Sequence, residues 1–299
     1  NGSVYEGNFI KGKPEGSGKI IFADGGTYEG TWLDGKITGQ GVAVYANGSR
    51  FEGGFLEAMH HGQGIMTNSD GYVYNGDWVN GVKEGSAKIT YPDGSVYNGS
   101  VIRGAREGKG TLEMPEGLIF EGFWENGEIN GLGKLIQPNG DVYKGSFVNN
   151  LRYGLAVYHY SNGEEYYGTF ADDKKVFGKY AFLNGYVYTG TFENNKPNGY
   201  GTILYKDGTK WEGEWEGGKR KWGSFIPIDL NLNISDDIHD HIVTDDQKLN
   251  QIIKNLVSNA IKFTSSGSVS ISFKRPSADL RSKMKFSIGN FLIEVKDTG

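Results

Sequence analysis

No cysteine occurs among the 299 residues, and proline appears only seven times. The first absence excludes a disulfide-stapled secreted mini-domain, and the second, beside 48 glycines, excludes an elastic Pro/Gly coil. No run approaches the roughly 20 apolar residues that span a bilayer, and no signal-like leader opens the chain, so a cytoplasmic, reducing location is expected. Cationic excess is lacking too: the net charge of −5 argues against nucleic acid as a partner. The chain starts at Asn1, not Met, and both ends are abrupt, which reads as a fragment of a longer protein.

Glycine itself becomes scarce after one point. Residues 224–299 hold three glycines (Gly267, Gly289, Gly299) and residues 1–223 hold 45, which places a domain boundary near residue 223. The later part contains nine basic and nine acidic side chains, so the charge deficit belongs to the first part.

What the first part has in abundance is periodic. An aromatic followed two residues later by glycine recurs at Tyr5, Tyr28, Phe51, Tyr74, Tyr97, Phe120, Tyr143, Tyr166, Tyr188 and Trp211, at intervals of 23 residues with one of 22. Such periods signal stacked repeats. A second ring follows four residues after each lead aromatic, Val101 being the single exception. Side chains two and four apart on a strand share a face, so ring, glycine and ring line one surface, the glycine leaving room for a neighbouring ring. Glycine also stands three residues before every lead aromatic, usually after Asn or Asp. Seven residues after the lead aromatic comes Gly, Asn or Asp in nine of ten repeats, with Ala58 the exception. Both positions suit tight turns, so each unit is two short antiparallel strands. The units stack into a single-layer β solenoid.

The string Tyr28-Glu29-Gly30-Thr31-Trp32-Leu33-Asp34-Gly35-Lys36, followed by Gly39-Gln40-Gly41, resembles the MORN repeat family, and the resemblance covers about residues 1–223 with ten units. Two units depart from it. The one at Tyr166 is a residue short and has Gly178-Lys179-Tyr180 where Gly-x-Gly is expected, and the last ends in Lys221-Trp222-Gly223 with its phase slipped by one. The resemblance implies a scaffold for protein partners, a homodimer, or a link between membrane and cytoskeleton with weak phospholipid contact, peripheral to either. The basic residues are scattered (Lys11, Lys13, Lys19; Lys174, Lys175; Lys219, Arg220, Lys221), and the acidic balance weighs against strong anionic-lipid binding, which takes about 1 kcal/mol per basic residue at the membrane. The exposed side chains otherwise read as a solvated surface or a protein-binding face.

From Ile226 the composition becomes that of an α/β domain. Leu249, Ile252, Ile253, Leu256, Val257, Ala260 and Ile261 recur at helical spacing after the N-cap candidate Asp245-Asp246, an amphipathic helix running to about Phe263. Val269, Ile271 and Phe273 alternate as a strand, and Phe291, Ile293 and Val295 as another that ends at Asp297-Thr298-Gly299. Asn255, Asn259 and Lys262 share one edge of the helix beside its apolar face; spacing alone leaves open whether that edge faces solvent or a ligand.

The segment Asn255-Leu256-Val257-Ser258-Asn259-Ala260-Ile261-Lys262-Phe263-Thr264, with Asp297-Thr298-Gly299 at a strand end, resembles the ATP-binding domain of histidine kinases in the GHKL superfamily. The fold expected is therefore mostly β, a MORN hairpin array over 1–223, followed over 224–299 by a partial α/β sandwich truncated at its C-terminus. The resemblance implies ATP and Mg²⁺ as cofactors of the complete domain. It places Asn259 on the metal, Asn255, Lys262 and Phe263 in the same pocket, Asp297 on the adenine amino group and Gly299 against the base. ATP-hydrolysing relatives carry Glu at the position of Asn255, where a carboxylate can act as general base; Asn cannot, so the pocket reads as holding ATP for phosphoryl transfer. No catalytic residue is assigned: His60, His61 and His159 fall inside repeats, and His239 and His241 lack phosphoacceptor surroundings. The parent protein reads as a histidine kinase whose ATP-binding domain is incomplete here, so the fragment is expected to bind ATP poorly; the alternative is a non-enzymatic scaffold with a degenerate nucleotide fold.

Overall fold

The computed structural model describes residues 2–206, 210–221, 228–234, 255, 267–274 and 292–297. The chain divides into two compact units, Asn1–Glu128 and Ile129–Gly299. The boundary expected near residue 223 lies in 222–227, outside the described residues.

In the first unit the repeat is a hairpin, as its turn chemistry dictates. The strand Thr27–Leu33 runs antiparallel to Lys36–Val44, with Tyr28 opposite Ala43, Gly30 opposite Gly41 and Trp32 opposite Ile37. Asp34 and Gly35 join them with φ of 49° and 82°. Two successive positive φ values define the primed turn whose twist matches that of the strands. Glu57 and Ala58 take the same conformation, at 49° and 66°, so register and packing override the preference of the residue that the sequence marks as the exception. The connection between hairpins differs from the two-residue turn that Asp-Gly and Asn-Gly suggest. Phe22 N–H donates to Gly26 O at 2.8 Å, which encloses a three-residue loop closed by Gly25 at φ 89°, and Asp24 Oδ1 accepts from Gly26 N–H at 2.9 Å. Asp and Asn serve here by binding the backbone two residues on.

Past Gly30 and Gly41 the register shifts, so that Thr31 faces Thr38 and two residues of the return strand, Gly39 and Gln40, have no partner across this hairpin. The bulge kinks the strand. Tyr28 folds its ring over the Gly30/Gly41 pair, and a Cβ on Gly41 would lie 2.5 Å from that ring. The glycines thus make room for a ring, as the spacing suggested, and it is the lead ring of their own repeat. The Tyr28 hydroxyl donates to Thr31 O at 3.1 Å. Between repeats the rings meet edge to face: Tyr28 with Phe55 at 5.0 Å and Phe51 with Trp78 at 5.4 Å. Each such pair adds about 0.5–1.5 kcal/mol beyond area burial.

The second unit repeats this scheme up to Lys219–Arg220, with Tyr143 on Phe170 at 5.3 Å and Tyr188 on Trp215 at 5.0 Å. Its short repeat is informative. Gly178 faces Gly168, so it holds the phase of the second glycine of Gly-x-Gly and not the first, as the sequence suggested. The residue lost is the first glycine: the bulge now contains one unpaired residue, Val176, and Val176 and Phe177 are buried.

Beyond the repeats, Ile228–Ile234 pairs in parallel with Gly267–Lys274, which pairs antiparallel with Leu292–Asp297. The two strands expected at 269–273 and 291–295 are present, and Ile271 at their centre is fully buried. The expected helix lies outside the described residues apart from Asn255, which is helical.

Candidate partner-binding face

Nine residues after the lead aromatic, the return strand places a residue directly across from the second ring. In the first unit this series is Pro14, Ile37, His60, Lys83 and Arg106, opposite Phe9, Trp32, Phe55, Trp78 and Val101. Directly opposed residues on paired strands share a face, so the series lies on the ring-bearing side. The loop pairs Tyr45/Ser49, Asn68/Tyr72, Tyr91/Ser95 and Met114/Leu118 continue that side, and their large side chains are partly exposed.

His60 stacks on Phe51 at 3.8 Å, and its Nε2 shares a hydrogen bond of 2.6 Å with the Tyr45 hydroxyl. Burial pushes its pKa down to about 4, so it is neutral at pH 7. Lys83 Nζ lies 4.5 Å and 4.9 Å from the rings of Tyr72 and Tyr74 and donates to the Tyr72 hydroxyl at 3.1 Å. Burial lowers its pKa. Arg106 sits 4.1 Å over Trp124 and donates to Gly127 O at 2.7 Å. Cations over ring faces gain about 0.5–2 kcal/mol, more as water is excluded. Among the described residues of this unit no carboxylate pairs with Lys83 or Arg106. Its carboxylates serve elsewhere: Glu15, Glu84 and Glu107 accept from the backbone N–H of Asp34, Arg103 and Asn126 at the next repeat's turn.

In the second unit the same register gives Arg152, Lys175, Pro197 and Arg220, opposite Phe147, Phe170, Phe192 and Trp215. Here carboxylates stand near Arg152 and Lys175, while Arg220 lies over Tyr205 and Trp211 with no carboxylate pair among the described residues. Arg152 Nε donates to Asp173 Oδ1 at 2.7 Å. Asp141 accepts from the Tyr158 hydroxyl and the Ser161 N–H, each at 2.8 Å, and Glu164 accepts from the Tyr180 hydroxyl at 2.7 Å. Lys175 is 8 % exposed, with its ammonium 5.2–5.4 Å from the rings of Tyr160, Tyr180 and Tyr166. Burial first, then the Arg152 charge, brings its pKa down to about 8, against the pull of Glu164 and Asp141.

The described residues contain no cluster of His, Cys, Asp or Glu that could hold a metal. The sequence reading placed Lys175 and Arg220 in scattered basic groups. What joins them with Lys83, Arg106 and Arg152 is a phase of nine residues from each lead ring, a signal present in the sequence.

Of the residues the nucleotide resemblance names, Asn255 is helical and exposed, and Asp297 closes the strand Leu292–Asp297 opposite Val269. Asn259, Lys262, Phe263 and Gly299 lie outside the described residues.

Compared with known proteins, the chain matches the MORN repeat over residues 5–27, 28–50, 51–71, 74–96, 97–119, 120–142, 143–165 and 188–210. The repeat at Tyr166, with its shortened bulge, falls between the last two matches. The signal transduction histidine-protein kinase BarA of Escherichia coli K12 is 39 % identical over 72 residues, 24 % of this chain and 7 % of that protein, and BarA of Shigella flexneri gives the same figures. The chain thus spans a small part of the curated relatives it matches. Among solved structures, the TCP10 domain of Danio rerio CPAP in complex with a STIL peptide aligns at 13 % identity and a TM-score of 0.44, over 74 % of this chain and 98 % of that one. The TCP10c domain of Drosophila melanogaster Sas-4 aligns at 16 % identity and a TM-score of 0.29, over 60 % and 98 %.

Proposed function

Since the chain belongs to the MORN repeat family, we propose that its array is a scaffold that holds a protein partner on the ring-bearing face and localises an ATP-binding segment of histidine kinase type. The observation that carries the scaffold reading is the half-exposed row of Tyr45, Tyr72, Tyr91 and Met114 beside cations seated on rings. Aromatic residues and Arg are the usual anchors of protein interfaces.

The kinase half rests on the residue string from Asn255 to Thr264 and on the 72-residue similarity to BarA. A parallel pair such as Ile228–Ile234 with Gly267–Lys274 needs a crossover between its strands, and that connection contains Asn255, Asn259, Lys262 and Phe263. The donor set fits a magnesium nucleotide: Asn259 offers a hard neutral oxygen to the metal and Lys262 a point charge to phosphate. Asp297 would accept from an adenine amino group, and Gly299 would admit the base closely. Bound Mg-ATP would supply the phosphoryl group; Asn255, which lacks a basic lone pair, would leave water unactivated.

The test is Mg²⁺-dependent binding of a fluorescent ATP analogue to the longest natural form of the protein. Binding abolished by Asn259→Ala is the expected result, and binding indifferent to that substitution overturns the nucleotide role. The second reading, a non-enzymatic scaffold with a degenerate nucleotide fold, predicts no analogue binding in any form.

A further inference from the structure

The first unit is acidic as a whole, with ten basic and seventeen acidic side chains in residues 1–128, yet the residues that lie opposite its second-ring positions include two cations, Lys83 and Arg106, and no carboxylate. Lys83 and Arg106 occupy equivalent positions of successive repeats, each held by aromatic rings and neither paired with a carboxylate among the described residues. In the second unit Asp141 and Glu164 take the loop positions that Tyr72 and Ser95 hold in the first, two residues before the lead ring. At that loop position the repeats of Tyr74 and Tyr97 therefore lack the carboxylate that the repeats of Tyr143 and Tyr166 carry.

We infer that this face of the first unit binds an acidic peptide, whose carboxylates take the place that Asp141 and Glu164 hold in the second unit. The inference deepens the scaffold reading and rests on it. Equivalent residues of successive repeats are two strands apart, about 9.6 Å at the usual strand spacing. An extended chain in the polyproline conformation advances about 9.3 Å in three residues and returns to the same side after each three. The fitting ligand is therefore Glu-x-x-Glu or Asp-x-x-Asp, with apolar or proline residues between to lie against Tyr72, Tyr91 and Met114. A membrane fits less well. The cations are half-buried against rings, where a chain in contact with the rings reaches them, and the excess of carboxylates on the rest of the unit repels an anionic bilayer.

The experiment selects peptides from a random displayed library on the full chain and then measures the enriched peptide by fluorescence anisotropy. Enrichment of acidic residues three apart is expected. Binding should fall about tenfold in Lys83→Met and again in Arg106→Met, weaken as salt rises, and stay unchanged in Lys13→Met, a turn cation paired with Asp34. Enrichment of neutral or basic peptides whose binding is lost in Tyr72→Ser/Tyr91→Ser would overturn the acidic-ligand inference and keep the scaffold reading. No enriched peptide at all would overturn both. Binding to phosphatidylserine vesicles that depends on Lys83 and Arg106, with no peptide enrichment, would assign the face to a membrane and overturn the inference as well.

Discussion

The two units use one register to opposite electrostatic ends. In both, the residue nine after the lead ring lies across from the second-ring position, and in both some of these residues are cations over aromatic faces. The second unit answers two of its three cations from within: Asp173 on Arg152, and Asp141 and Glu164 held by Tyr158 and Tyr180 beside Lys175. The first unit leaves Lys83 and Arg106 to whatever arrives. A buried cation carries a desolvation cost, and removing the carboxylate that offsets it uncovers that cost.

That contrast can be broken most directly by removing one carboxylate. Asp141→Ala strips the Tyr158 hydroxyl and the Ser161 N–H of their acceptor and leaves Arg152 and Lys175 with less opposing charge, so it should cost about 3 kcal/mol in urea unfolding. Lys83→Met, which removes a half-buried cation with no carboxylate partner, should leave the midpoint unchanged or raised. Equal losses from the two substitutions would erase the distinction.

His60 sharpens the comparison through pH. Its folded pKa near 4 lies below the ordinary 6.5, so between these values the unfolded chain takes up a proton that the folded chain refuses. Stability should therefore fall as pH drops through that window, by about 2 kcal/mol after allowing for partial exposure. The dependence should vanish in His60→Phe, measured as the difference between the two unfolding curves, because carboxylates titrate alike in both. A parallel decline in the variant would assign the acid sensitivity to other groups.

The smallest effect concerns the turns. Ala58→Gly should stabilise by about 0.5 kcal/mol, since alanine resists the φ of 66° it holds there. Asn150→Gly, at the same position in the second unit with φ 68°, should instead destabilise by about 0.5 kcal/mol in thermal unfolding, because Asn tolerates that region and its Oδ1 accepts from the Ile129 N–H at 2.8 Å.

The hairpins, their turns and the buried rings were legible because period, turn residues and alternation all agree for ten repeats. The ring that fills the glycine gap was not, since spacing gives the face and not which ring folds back. The phase of Gly178 was misread because counting forward from Tyr166 crosses the deletion, whereas Gly178 stands ten residues before Tyr188 as Gly41 stands ten before Phe51. The strand Ile228–Ile234 could have been found: Ile228, Leu230, Leu232 and Ile234 alternate with polar residues. The row of cations was visible only in part, because its meaning depends on the two unpaired residues of the bulge, which set which side the ninth residue faces.

Pro14, Ile37, His60, Lys83 and Arg106 all occupy the same paired position, although they share neither size nor charge. The backbone there is fixed by turn, bulge and ring, none of which depends on the identity of that one side chain. The array therefore separates two alphabets: rings and glycines spell the fold, while one letter per repeat spells the ligand. A new specificity can be written a letter at a time, without editing the text that holds the molecule together.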